Sequence, residues 1–502
     1  MRGAAALAVL PPSVARAALR KDAELLALLD DIARAGDPVA GLARLKRFDP
    51  AGLSPVRRFD LLAVRDGLAT DARMQAIWPW LAPGGSPYPV SPRNGGWRKV
   101  AAGKPVAASE LAAETDRLAL AARRGVVLPR PLLTETVRQV TAAAAAAKGA
   151  VADALVDQVA VLEGQQRIAP TAPGLSRVPG GAHYFALMLE RALGKAVRPA
   201  SAHTRAETFA RNLVARADTL FRSIGMESGS TGERFRLLAE QPRYLYPDSD
   251  AGRDRAVADM NRRLARARSW LPRAFSHIPP AVDHVAARRM SPADEVAGRG
   301  GYRTVPPADG SGEGGYFVDL SDIRQRPSWT LPSVVHHELL PGHMLQMPIE
   351  AAAAPHRLRL AHAAAFTEGW AIYAERLMAD TGAFEGDPAA ELGYIQWALF
   401  RVGRALADTG IHHHGWTRQY AVAKLRDLQG KGVIFAPIED DVARICLEPG
   451  IRAAEFLMAD RLAALRHDAG DVRTFHDAVL APGSLPLRLV EAVASRAGRA
   501  GD

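Results

Sequence analysis

Within Arg326 to Gln346, RPSWTLPSVVHHELLPGHMLQ, two imidazoles and a carboxylate fall close together: His337, Glu338 and His343. A His-Glu pair on a helix, followed by a second histidine, is how zinc hydrolases bring two ligands and a general base to one metal ion. The usual spacing puts the second histidine at i+4, where both rings share a face. Here that position is Pro341, and His343 lies six residues after His337. At about 100° per residue, a regular helix leaves the two rings roughly 120° apart. Pro341 lacks an N–H and its ring collides with the carbonyl of His337, so the helix must open or bulge at that turn. Gly342 tolerates the backbone angles such a bulge demands. The sequence thus predicts that Pro341-Gly342 rewinds the chain and returns His343 towards His337. The alternative is a helix that ends at Leu340, with His343 in the turn beyond.

A third protein ligand comes from FTEGWAIYAERL, residues 366–377. Catalytic zinc sites of this kind take a Glu from the next helix and keep a fourth position for water. Glu368 is the first choice, because Phe366, Trp370, Ile372 and Tyr373 surround it with apolar bulk where a merely solvated carboxylate is out of place. Glu375, two turns further on, is the second.

The elements that must position these groups are mostly helical. Period-3.6 patterning runs through residues 18–80, two long alanine-rich segments between 106 and 165, and paired helices between 203 and 275. Between 276 and 330 the texture changes to short strand-like pieces, and Gly315-Tyr316-Phe317-Val318 is expected as a small β-hairpin edge beside the metal helix, able to pair with substrate backbone. A further helix is expected over residues 389–407, carrying Tyr394, Arg401 and Arg404, and ADTGIHHHGWTRQYA follows.

With 502 residues the chain can bury a large core, as one body or as two lobes divided near 275 and 276. The single cysteine, Cys446, excludes an internal disulfide and a cysteine-based metal cluster. A net charge of +10 permits anionic partners, yet the arginines are scattered through helices and form no basic block, so no nucleic-acid partner is expected. No run of 18 apolar residues occurs, and no membrane span is expected. Residues 1–17 read as the tail of a secretory signal of twin-arginine type, which puts the mature start near Ala18 and the protein in the periplasm or outside the cell. An alanine-rich N-terminus retained in the cytoplasm is the alternative.

DGSGEGGYFVDLSDIRQRPSWTLPSVVHHELLPGHMLQ, FTEGWAIYAERL and RVGRALADTGIHHHGWTRQYA together resemble the bacterial family called domain of unknown function 885, over roughly residues 200–495. The shared marks are His-Glu-x-x-Pro-Gly-His-x-x-Gln, a Glu-Gly-Trp helix, and Asp-Thr-Gly-Ile-His before Gly-Trp-Thr. The resemblance implies a mainly α fold similar to zinc oligopeptidases of the thimet and neurolysin kind. His412 matches the family's histidine, and an imidazole near the metal can stabilise an oxyanion. The tail departs from the family: Arg444-Ile445 stands where the resemblance implies Arg-Tyr, Pro449-Gly450-Ile451 where it implies Pro-Gly-Gln, and Glu455-Phe456 where it implies a further tyrosine, so a tyrosine that would assist the transition state is missing or displaced. His476 is expected to be structural.

The expectation is a mainly α, zincin-like (neurolysin-like) metallopeptidase acting on short peptides. His337, His343 and Glu368 bind Zn²⁺, and Glu338 is the general base. His412, Tyr373, Arg401 and Arg404 steady the oxyanion or a substrate carboxylate; a buried ion pair with Asp408 or another carboxylate is the alternative for the two arginines. Two rival functions are a metal-binding but inactive scaffold and a helical periplasmic binding protein.

Overall fold

The computed structural model describes residues 12–81, 86–430 and 437–499. Helix starts follow the local chemistry. α1 (Pro12–Ala35) is followed by α2 (Pro38–Lys46), opened by Asp37, whose carboxylate accepts from the backbone of Val39 and Ala40. α3 (Pro55–Ile77) begins with Ser54 as cap and a proline in its first turn, where the missing N–H costs nothing. These helices bury a small cluster including Leu25, Leu29, Leu61 and Val64. Of the expected signal segment, residues 1–11 lie outside the described residues and 12–17 open α1.

The alanine-rich stretch forms α4 (Ala108–Arg123), α5 (Arg130–Ala146) and α6 (Ala150–Gly164). That is three helices where two long ones were expected, because Gly149 turns the chain at φ 55, a conformation glycine adopts without a side-chain clash. After α7 (Gly181–Leu193), α8 (Pro199–Ser223) and α9 (Asp250–Trp270), the largest hydrophobic core takes Ala210 and Leu264 together with Val335, Trp370, Leu399 and Phe456. The boundary expected at 275–276 therefore falls inside one continuous core.

The strands are where the sequence put them, in a different arrangement. β1 (Val285–Arg289), β2 (Tyr302–Thr304) and β3 (Gly314–Val318) form one sheet in the order β1-β3-β2. β3 runs parallel to β1, with Ala287 beside Tyr316, and antiparallel to β2, with Arg303 beside Tyr316. Residues 315–318 are thus the paired centre and not an edge, which corrects the expectation. The outer side of β1 is covered as well: the Asn261 amide of α9 bonds both the N–H and the C=O of Ala287. β2 is left as the outer strand on the other side.

Four more helices complete the site: α10 (Leu331–Val334, continued by a π turn over Val335–Leu339), α11 (His343–Ala353), α12 (Phe366–Asp380) and α13 (Pro388–His412). Every residue of α13 from Leu392 to His412 is buried. A helix enclosed on all faces must pair its own polar groups, and α13 does so with Arg401, Arg404, Asp408 and Thr409. It runs five residues past its expected end at Ala407. Gly410 explains part of this, since a Cβ there would lie 2.3 Å from the Trp416 ring that packs on it. Asp408, which looks like a helix-ending residue, instead accepts from the backbone of Gly450 and Ala453 and anchors α14 (Ile451–His467).

Candidate metal centre

α10 accommodates the unusual spacing by widening before it ends. Pro332 sits in its first turn, and at its end Leu340 N–H donates to Val335 O at 3.1 Å, the i→i+5 bond of a π turn. Leu340 is then extended, the Leu340–Pro341 peptide is cis, and α11 starts at His343 itself. Both sequence alternatives therefore hold in part: the helix bulges, and it also stops. Gly342 lets the two pieces close, because a Cβ there would lie 2.0 Å from the carbonyl oxygen of His337. The Trp370 indole on α12 donates to Pro341 O at 3.0 Å and pins the turn against the third element.

The result is convergence. The His337 and His343 rings stand perpendicular with centroids 4.9 Å apart. Glu368 bridges them, one carboxylate oxygen 3.5 Å from His337 Nε2 and the other 3.5 Å from His343 Nε2. One ligand atom from each of the three residues lies within 4.8 Å of the others. Ligands about 2.0–2.1 Å from a tetrahedral zinc are about 3.4 Å from one another, so the spacing suits that ion. His343 is fully buried and neither ring nitrogen has a hydrogen-bond partner, an orphaned state that a metal bond would relieve. The Glu368 side chain keeps 32% of its surface exposed, so the cluster opens on one side.

Electrostatics follow from this packing. Burial pushes the Glu368 carboxyl up, but its contacts with His337 and His343 outweigh that and hold it well below the usual carboxylate range. Burial and Arg401 disfavour a charged His337; Glu368 and Glu375 overcome both and raise its pKa to about 9. Burial lowers the pKa of His343. His337 is aimed by Glu375, which bonds Nδ1 at 2.8 Å and also accepts from Ser333. This carboxylate-behind-histidine arrangement fixes the ring and leaves Nε2 facing the cluster. Arg401 Nη2 is 3.1 Å from that Nε2, a contact that needs the same lone pair a metal would use. Glu338 points into the cleft with 18% of its side chain exposed, and Arg303 on β2 donates to its carboxylate at 2.7 Å.

His337, Glu338, His343, Glu368 and Arg401 are thus together. Three other expected site residues are engaged elsewhere, and their placement is corrected accordingly. Tyr373 is fully buried with its hydroxyl on His476, which in turn bonds Ala274 O; five residues beyond Glu368, it leaves α12 on another side. His412 has both ring nitrogens on backbone groups, those of Leu175 and Ile445. Arg404 is paired at 3.2 Å with Asp441. Sequence reasoning missed Arg303 and Arg326, and Glu375, its second choice of ligand, is a support behind His337. Only the strand alternation of YRT hinted at Arg303. Arg326 carried no signal.

The matches to known proteins span most of the chain. The structure is similar to that of a protein from Colwellia psychrerythraea provisionally named a lipoprotein, with 22% identity, a TM-score of 0.72, and coverage of 96% of this chain and 90% of that one. It is also similar to one from Shewanella oneidensis, likewise provisionally named a lipoprotein and of unknown function, with 16% identity, a TM-score of 0.69, and coverage of 94% and 92%. At such identity the likeness shows the fold alone. No curated protein matches the chain, and no described helix is long and apolar enough to cross a membrane. The family model described as "Bacterial protein of unknown function (DUF885)" matches residues 96–493, starting ahead of the expected limit near residue 200, and the chain belongs to that family.

Proposed function

We propose that this chain is a zincin-like, zinc-dependent metallopeptidase that hydrolyses short peptides. The observation that carries the reading is the meeting of His337, His343 and Glu368 across a helix break, with an orphaned imidazole among them and a carboxylate, Glu338, next to a ligand. Bound there, Zn²⁺ would lower the pKa of a coordinated water towards about 7 and polarise an acyl oxygen. Glu338 would take the proton from that water and deliver it to the leaving amine. Glu375 keeps His337 in the Nδ1–H tautomer, so that Nε2 remains a ligand atom. Arg303 and Arg401 are the cations within reach of developing negative charge, a role expected for His412 and Tyr373. The space beside His337 and Glu338 is narrow, which favours small substrates. The provisional lipoprotein names of the two similar structures favour a location outside the cytoplasm.

A metal-binding but inactive scaffold is the second reading, favoured by the Arg303 contact that engages the proposed base. One experiment separates the two. The zinc-loaded protein should release amines from a mixture of short peptides, and Glu338→Gln should abolish release while retaining zinc. Absence of turnover in the zinc-loaded parent would support the scaffold.

A further inference from the structure

Among the described residues, six arginines are more than nine-tenths buried: Arg234, Arg326, Arg359, Arg401, Arg404 and Arg452. Five have a carboxylate oxygen at 3.7 Å or less, supplied by Asp218, Asp60, Glu368, Asp441 and Glu455. Arg326 has none. It is 4% exposed, its Nε donates to the backbone oxygen of Asp319 at 3.2 Å, and its Nη2 has no partner. Asp319 and Glu338 act on it only from beyond ion-pair distance, and a buried guanidinium with no carboxylate in contact is costly, a cost that an arriving anion would relieve.

Arg326 lines the narrow cavity that also touches Tyr316, Ser333, His337, Glu338 and Arg401. Two guanidiniums therefore face this space. The carboxylates on its wall are already engaged, Glu338 by Arg303 and Glu375 by His337 and Ser333. The space is narrow, with room for a group of a few atoms and not for a whole residue, so what it can admit is a carboxylate and not the residue that bears it.

We infer that the cavity is a carboxylate subsite, in which Arg326 pairs with a carboxylate of the substrate residue adjoining the scissile bond. The carboxylate comes either from a free C-terminus or from an Asp or Glu side chain. Arg326 suits the task because its planar fork can hold both oxygens at once. The inference rests on the hydrolase reading for what the site is used for, and on Arg326 and the cavity alone for what it binds.

The test is calorimetric, with the full chain and three probes: N-acetyl-Ala-Ala, its C-terminal amide, and N-acetyl-Ala-Asp-amide. One of the two acids should bind about tenfold or more tighter than the plain amide, and which one does so identifies the source of the carboxylate. The preference should persist in EDTA, fall to parity in Arg326→Met, and be partly kept in Arg326→Lys. The melting temperature of Arg326→Met should not drop, since the substitution removes an unpaired buried charge. Equal binding of acids and amide, a preference lost in EDTA, or an undiminished preference in Arg326→Met would each overturn the inference. If Arg326→Met does not fold, a reduced preference in folded Arg326→Lys still supports it and an undiminished one overturns it. An acid preference without any peptide cleavage would leave the subsite standing and refute the peptidase reading.

Discussion

Replacing Gly342 by alanine should break the metal centre from within the backbone. A Cβ at this position would lie 2.0 Å from His337 O and 2.5 Å from His336 O, the former about 1.4 Å short of ordinary contact at 3.4 Å. Neither obstacle is a flexible side-chain tip; both are backbone carbonyls, one belonging to a ligand. Relief requires the end of α10 to move away from the start of α11, which carries His337 away from His343. Misplacement by about 1 Å can cost about 100-fold in a site that depends on alignment, and overpacking costs about 1–3 kcal/mol of stability. Gly342→Ala should therefore lose about 100-fold in zinc affinity, measured by competition with a chromophoric chelator, and should melt at a temperature that zinc no longer raises. Gly164→Ala is the control, because a Cβ there meets nothing within 4 Å. A folded Gly342→Ala protein that binds zinc within about threefold of the parent would refute the reasoning, whatever its stability.

Glu375→Gln should weaken zinc binding about 10–100-fold without unfolding the protein, because the residue aims a ligand and is not one; unchanged affinity in the same chelator assay would count against that role. Tyr373→Phe should leave zinc affinity alone while costing about 1–3 kcal/mol in denaturant unfolding, since it strands His476 Nε2 in the core. Acid should destabilise the fold across a defined window. Burial holds His362, His412 and His476 at about 4, against 6.5 when unfolded. Below pH 6.5 these three histidines take up protons in the unfolded chain that the folded chain refuses, so their contribution to stability is complete above 6.5 and declines towards 4. The slope is up to about 1.4 kcal/mol per pH unit for each histidine. Unfolding free energies that stay flat between pH 6.5 and 4 would contradict this.

Much of the centre was legible because it depends on local rules. Proline at i+4 had to disturb the helix, glycine had to follow, and an acidic residue amid Phe366 and Trp370 needed a reason to be there. The three strands were legible from composition, but their order was not, since alternation along Gly315–Val318 says nothing about which strand lies on either side. The roles of Glu368 and Glu375 could not be separated by period alone. Seven residues, two turns apart, they share a face of α12; what divides them is that Glu375 meets the Nδ1 side of His337 and Glu368 the Nε2 side. His412 looked functional because it matches the family's histidine, yet its two nitrogens are used to tie α13 to Leu175 and Ile445, contacts remote in sequence. Arg303 and Arg326 were illegible for the same reason: each reaches the centre from a segment whose own pattern carries no charge signal.

The most direct test is the zinc content of the full chain after loading and exhaustive dialysis, measured by elemental mass spectrometry for the parent and for His343→Ala. The account predicts about one zinc per parent chain and near none in the variant. A parent without zinc, or equal zinc in the two proteins, would contradict it.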